Sequence, residues 1–381
     1  NAILSEATPG CQLLVAKKGN IIINKSYGYH TYDKKKKVKN TDIYDLASIT
    51  KVSATLPLIM KMVDEGKLNL DDSLGMHLDL DTSDKNGLII RDILAHQARL
   101  KSWIPFYRYT LDDDTINGVK VLSDTLYSST KSAIYPYQVA ENIFLHFSYP
   151  DSILKKIKYS ELRINEGYKY SDLGYYFFKE IIEKEYNENL ETITENHFYK
   201  QLGMENLGYL PLNRIEENRI IPTEHDYLYR GQLIKGYVHD QGAAMLGGVG
   251  GHAGIFSNAN DLAKLMQMYL NFGEYAEEKF ISEKTIKEFT KCQFCVNKNR
   301  RGAGFDKPAL EKGGPTCKCV SYTSFGHTGF TGTIVWVDPD TELIYIFLSN
   351  RIYPDANNQK LLRMDVRTNI MQEIYNLFGT K

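Results

Sequence analysis

The chain holds its strand-forming runs at its two ends and separates them by a long middle of different texture. Cys11 to Ala16 is apolar with loose alternation, Lys17-Lys18-Gly19-Asn20 supplies a turn, and Ile21 to Tyr27 follows as a second strand, which together predict a hairpin. Near the far end, Thr331 to Val337 and Leu343 to Leu348 read as two strands around the turn Asp338-Pro339-Asp340-Thr341. The apolar series Leu362, Val366, Ile370, Ile374, Leu377 and Phe378 has helical spacing and predicts an amphipathic C-terminal helix. Ser48 to Glu65 predicts a long apolar helix stopped by Gly66 and kinked at Pro57, with Leu56, Ile59, Met60 and Val63 as a core stripe. From about Asp71 to Arg230, Tyr- and Lys-rich segments alternate with polar turns and read as a largely helical insert. The pattern predicts an α+β fold with an antiparallel sheet built from both chain ends and flanked by helices. Residues 1–70 and 231–381 are expected to form the sheet subdomain and 71–230 the mostly helical one, with the site in the cleft between them.

Composition removes several classes. Apolar residues at 43% and charged residues at 24% exclude wholesale disorder. Lys plus Arg number 46 against 47 Asp plus Glu, which argues against a nucleic-acid binder. The apolar runs Leu56 to Met60 and Leu343 to Leu348 are far below the ~18 residues a membrane span requires. The chain starts at Asn1 rather than Met, so it reads as trimmed or excised; a cleaved signal peptide explains this equally well.

Ser48-Ile49-Thr50-Lys51 spells S-x-x-K, as do Ser128 to Lys131 and Ser152 to Lys155. Context favours the first, where a polar segment turns into an apolar helix. Helical spacing puts Ser48 and Lys51 on one face, and a helix N-terminus leaves N–H groups free to hold an oxyanion. A serine hydroxyl needs a base to become a nucleophile. An ordinary lysine, with a pKa of about 10.4, is neutral less than about 0.1% of the time at pH 7, so Lys51 must be shifted to roughly 7–8 to act as that base.

Two further segments, Tyr170-Ser171-Asp172 and His327-Thr328-Gly329, follow in order. The chain thereby resembles the serine β-lactamase and penicillin-binding-protein superfamily, with its S-x-x-K, Y-x-N and K-T-G or H-T-G signatures, and within it the class C β-lactamase-like branch. Asp92 to Ala98 and Gly251 to Ala263 resemble supporting segments of that family, and the likeness runs from about Pro9 to Phe378. It implies a β-lactamase/transpeptidase-like fold and a metal-independent serine hydrolase without a cofactor. By resemblance Ser48 is acylated, Lys51 is its proton partner and Tyr170 relays protons. The Ser48 and Phe330 N–H groups form the oxyanion hole, and Asp172, His327, Thr328 and Gly329 contact substrate. The resemblance implies an ester or D-alanyl amide substrate, such as a peptidoglycan peptide or a β-lactam, and a periplasmic or envelope location. Val238 to Val249 and Asn299 to Pro308 narrow the likeness to serine-hydrolase domains fused to family-3 β-N-acetylglucosaminidases of Bacteroidetes, so a glycosidase tether is expected. The alternative keeps the fold and loses deacylation, leaving a penicillin- or muropeptide-binding module.

Three positions depart from the family pattern. His327 replaces a lysine, and a mostly neutral imidazole attracts a carboxylate less than an ammonium does. Asp172 replaces an asparagine; it cannot donate to an acyl amide, and beside Lys51 it would raise that pKa. Arg99 stands where the family has glycine. Other constellations carry less chemistry. Cys292, Cys295, Cys317 and Cys319 leave zinc, disulfides and free thiols open, and Cys11 reads as a buried strand residue. His225, His239, Asp240 and His252 lack metal-site spacing and read as structural. Gly248 to Ala253 reads as a flexible loop lining the pocket rather than a dinucleotide loop. Asp112 to Asp114 and Lys34 to Lys37 read as solvated turns.

Overall fold

A computed structural model describes residues 1–116, 119–311 and 313–379. The main sheet consists of β1 (Gly10–Lys17), β2 (Asn20–Gly28), β3 (Phe325–Thr328), β4 (Ile334–Asp338) and β5 (Leu343–Ser349). Its antiparallel order is β3-β4-β5-β1-β2, so the two chain ends join directly, with Cys11 opposite Ser349 and Lys17 opposite Leu343. The unbroken apolar run of β5 follows from burial on both faces. Leu343, Tyr345 and Phe347 pack with Trp336 beneath the C-terminal helix Val366–Phe378, while Ile344, Ile346 and Leu348 face the larger core with Leu262 and Met266. That helix buries Val366 and Ile374 of the expected stripe, with Ile370 and Phe378 packed against the same cluster, and adds Met371 and Tyr375; Leu377, 70% exposed, and Leu362, 39% exposed and ahead of the helix, fall outside it.

The segment after Ser48 is helical throughout but not uniform. A 3₁₀ turn at Ala47–Ile49 leads into a π turn at Lys51–Thr55 and then the α-helix Leu56–Asp64. Pro57 has no N–H to give the preceding turn. Two buried tyrosines supply donors there: the Tyr269 hydroxyl to the Val52 carbonyl and the Tyr199 hydroxyl to the Ser53 carbonyl, both at 2.8 Å. Gly66, with φ +70°, ends the helix as expected.

The longest elements of the middle are the helices Tyr149–Lys158 and Leu173–Tyr186. Between residues 111 and 145 the chain also forms a two-stranded and a three-stranded antiparallel sheet. Asp112 to Asp114 lie in the strand Leu111–Ile116 rather than in a turn. One apolar core runs continuously from the main sheet through Ile93, Phe106 and Phe178 of the middle. Of the three states open to the cysteines, the structure has local disulfides, Cys292–Cys295 and Cys317–Cys319, with Cys11 free and buried. Among the described residues no helix is long and apolar enough to cross a membrane.

Candidate active site

Ser48 is set by a constrained turn. Ala47 takes φ +48°, a conformation that costs a residue with a side chain. Asp45 offsets part of that cost: its Oδ1 accepts from the Ala47 N–H and its Oδ2 from the His239 N–H, both at 2.7 Å. Thr331 Oγ1 donates to the Asp45 carbonyl at 2.8 Å and Thr333 Oγ1 to the Leu46 carbonyl at 3.3 Å, which ties the turn to the β3–β4 connection. His327 and Thr328 close β3, and β4 starts at Ile334 rather than at the expected Thr331, so Thr331 to Thr333 belong to the connection. Gly329 is needed for a protein contact: a Cβ there would lie 2.1 Å from Thr333 Oγ1 and 2.5 Å from the Leu46 carbonyl.

Lys51 is fully buried, and its Nζ is 3.0 Å from Ser48 Oγ, 3.0 Å from the His252 carbonyl and 2.6 Å from Asp172 Oδ1. Burial alone would push the amine down. The Asp172 carboxylate outweighs it and holds Lys51 above the ordinary lysine value, so the resting residue is an ammonium. The loop behind it is buried and tied to its neighbours by hydrogen bonds. Residues 250–255 are buried, the Thr55 hydroxyl donates to the Gly251 carbonyl at 2.6 Å, and the Tyr209 hydroxyl donates to the Gly250 carbonyl at 2.9 Å.

Tyr170 and Asp172 precede the helix Leu173–Tyr186. Asp172 stands at its N-cap yet makes no side-chain cap, because its carboxylate is turned to Lys51. Ser171 anchors the segment through Oγ to the Lys101 carbonyl at 2.6 Å, and the Asp172 N–H donates to the Ser102 carbonyl at 3.1 Å. The Tyr170 hydroxyl is buried without a formed hydrogen bond, and burial raises its pKa, so it rests as a phenol. Lys51 Nζ lies 5.2 Å from its ring centre.

His327 donates from Nδ1 to the Thr328 carbonyl at 2.8 Å, which leaves Nε2 as a buried acceptor without a partner. Burial, then the charges of Arg301 and Lys51, push its pKa down to about 3, so the imidazole is neutral at working pH. His96 is neutral for the same first reason, and its ring centre lies 4.4 Å from that of Tyr170. His96 lies in the segment Asp92 to Ala98 and Arg301 in Asn299 to Pro308, and neither is assigned a role by the sequence motifs. Arg301 brings a retained positive charge 5.4 Å from the Tyr170 ring centre, with Nε and Nη1 unpartnered. The Arg300-Arg301 doublet was the available signal.

Ser48, Tyr170, Asp172, His327, Thr328, Gly329 and Phe330 line one cavity of 740 Å³, whereas Ser128 and Ser152 do not. Among the described residues no turn, loop or cap hydrogen bond engages the Ser48 or Phe330 N–H. The expected structural histidines lie nearby: His252 pairs with Asp240 at 2.7 Å, His239 bonds to Glu224, and His225 stacks on Tyr227. Among the described residues no His, Cys, Asp or Glu cluster could hold a metal ion.

A half-buried serine on a buried lysine, with a phenol in the same open cleft, defines a serine hydrolase. The β-lactamase family model matches residues 4–367, and the chain belongs to that family. A protein of Escherichia coli O157:H7 described as a "putative D-alanyl-D-alanine carboxypeptidase" is 30% identical over 386 residues, which cover 92% of this chain and 81% of the relative. The penicillin-binding protein homologue of Pyrococcus abyssi superposes with a TM-score of 0.63 at 19% identity, covering 96% of this chain and 75% of that one. EstCE1, a hydrolase with promiscuous acyltransferase activity, does so with 0.63 at 17%, covering 96% and 95%. The two solved structures show the fold.

Proposed function

We propose that this hydrolase forms an acyl-enzyme on Ser48 from a D-alanyl-type amide or an ester, and that water then releases the acyl group. The observation that carries the reading is Lys51 Nζ poised 3.0 Å from Ser48 Oγ and 2.6 Å from Asp172 Oδ1 at the base of the cavity. The substrate carbonyl sits between the Ser48 and Phe330 N–H groups, which take up the developing oxyanion. Lys51 acts from its minor neutral form: as Ser48 Oγ bonds to the carbonyl carbon, its proton passes to the Lys51 amine, and Asp172, by favouring the ammonium, restrains this step. The Tyr170 hydroxyl protonates the leaving group as its bond to the carbonyl carbon breaks, then draws a proton from the deacylating water; the resulting hydroxide adds to the acyl carbon, and Ser48 Oγ departs with the proton held by Lys51. The carboxypeptidase relative and the esterase-like fold neighbour support this substrate range.

The cleft lies between residues 71–230, which give Tyr170 and Asp172, and the sheet subdomain of 1–70 and 231–381, which gives Ser48 and His327. The class C-like branch, an envelope location and a glycosidase tether belong to the same reading. The charge of Asp172 on Lys51 favours a second reading, a muropeptide- or penicillin-binding module that is acylated and turns over slowly. Incubation with p-nitrophenyl acetate and with a fluorescent penicillin separates the two. Turnover lost in Ser48→Ala supports the hydrolase, a lasting adduct without turnover supports the binding module, and failure of both reagents to engage Ser48 refutes the acyl-transfer reading.

A further inference from the structure

Lys51 Nζ has three oxygen neighbours: Ser48 Oγ at 3.0 Å, Asp172 Oδ1 at 2.6 Å and the His252 carbonyl at 3.0 Å. At rest the three N–H bonds of the ammonium match these three oxygens. The neutral amine that takes the serine proton has only two N–H bonds and one lone pair. A carboxylate and a carbonyl accept and cannot donate, so between them they claim both N–H bonds and leave the lone pair facing Ser48. The His252 carbonyl therefore decides where the base is aimed. Without it, the amine can donate to Ser48 Oγ and turn its lone pair away from the proton it must take.

The two loop carbonyls before it are held from outside, Gly250 by the Tyr209 hydroxyl and Gly251 by the Thr55 hydroxyl. His252 is held through its own buried ring. The ring stacks on Tyr176, with 4.3 Å between centres and 21° between planes, and Nε2 lies 2.7 Å from Asp240 Oδ1. A carboxylate only accepts, so Nε2 carries the proton. The same Asp240 oxygen accepts from the Ala243 N–H at 2.8 Å as the N-cap of the helix Gln241–Met245, which fixes the carboxylate. One residue earlier, the His239 N–H donates to Asp45 Oδ2, and Asp45 Oδ1 holds the turn of Ser48. One point of the chain, His239-Asp240, is thus tied both to the turn that presents the nucleophile and to the carbonyl that orients its base.

We infer that Asp240 and His252 are positioning residues: their side-chain hydrogen bond sets the His252 carbonyl and, through it, the direction of the Lys51 lone pair. The inference deepens the acyl-enzyme reading of Ser48 and rests on it, since it assigns how the base of that reaction is aimed.

The test uses the full chain. Single-turnover release of p-nitrophenol from p-nitrophenyl acetate, with enzyme in excess, gives the acylation rate constant and the half-saturating concentration separately. His252→Phe keeps an aromatic ring on Tyr176 and loses the donor to Asp240. Its acylation rate constant falls by about 10–100-fold with the half-saturating concentration unmoved, the loss a base misplaced by about 1 Å produces. His252→Gln places an amide N–H toward Asp240 and restores most of the rate. Asp240→Ser keeps an N-cap oxygen but is too short to reach His252; it shows the same loss and replaces His252→Phe should that variant fail to fold by circular dichroism. Crystal structures give a readout independent of turnover: the contact between Lys51 Nζ and the residue-252 carbonyl opens beyond about 3.5 Å in His252→Phe and closes again in His252→Gln. A rate that follows the melting temperatures of the variants rather than the donor at position 252, or a rate lost while the contact stays at 3.0 Å, overturns the inference. An opened contact in a chain that shows no Ser48-dependent ester cleavage upholds the hold on Lys51 and defeats the acyl-enzyme reading. Ser48-dependent cleavage with equal acylation rates in all the variants does the reverse.

Discussion

Asp172 Oδ1 lies 2.6 Å from Lys51 Nζ, closer than the serine that the lysine serves. The contact explains why an N-cap aspartate leaves its helix uncapped, and it holds the buried amine as an ammonium. Replacing Asp172 by Asn removes the charge that opposes desolvation, so the Lys51 pKa falls. The alkaline-rising limb of ester hydrolysis is expected to move to lower pH by about one unit or more, and fluorescent-penicillin labelling to speed up by about 10-fold, one pKa unit corresponding to about 1.4 kcal/mol. A pH–rate profile unchanged in Asp172→Asn contradicts this electrostatic role.

His327 supplies no titration near neutrality. Its pKa of about 3 places its charged form below working pH, so kcat/KM for a neutral ester shows no inflection from this residue between pH 5 and 8. His327→Gln therefore leaves the shape of the profile intact in that window, whatever it does to the height. An acid limb that vanishes in His327→Gln is the opposing result.

Tyr170 is a buried phenol without a formed hydrogen bond, 5.2 Å by ring centre from Lys51 Nζ. Tyr170→Phe removes the proton relay while keeping the ring that packs on His96. Turnover is expected to fall by about 10²–10⁴-fold, the range of general acid–base contributions. Intact mass measured during turnover is expected to show either unmodified enzyme, if acylation slows most, or accumulated acyl-enzyme, if deacylation does. Wild-type rates in Tyr170→Phe count against the relay.

The helical start beneath Lys51 depends on two distant hydroxyls. Tyr269→Phe leaves the Val52 carbonyl, buried beside Pro57, without its donor. Such an unpaired buried group costs about 1–3 kcal/mol, which thermal or urea unfolding resolves. Tyr199→Phe does the same at Ser53. A melting temperature unchanged in both variants means that these bonds do not hold the turn.

The sheet and the three site segments were legible because they are written in local terms. The hairpin Gly10–Gly28 has alternation and a turn, and β5 has an apolar run of strand length. Arg99 stands where the family has glycine, and it takes φ +61°, the conformation glycine would adopt freely. What stayed hidden depends on long-range packing. The breadth of the buried face of the C-terminal helix is set by the sheet beneath it, which takes in Met371 and Tyr375 beside Val366 and Ile374 and leaves Leu377 exposed. The π turn at Lys51–Thr55 depends on tyrosines far along the chain, and Arg301 joins Tyr170 only through the fold. The small sheets between 111 and 145 have strands too short for periodicity to reveal.

The central claim is that Ser48 carries the acyl group. Rapid acid quench during hydrolysis of a slow ester, followed by proteolysis and mass spectrometry, tests it most directly. The expected result is a mass gain equal to the acyl group on the peptide containing Ser48, absent in Ser48→Ala along with turnover. Hydrolysis that persists in Ser48→Ala, or an acyl mass on a different residue, contradicts it.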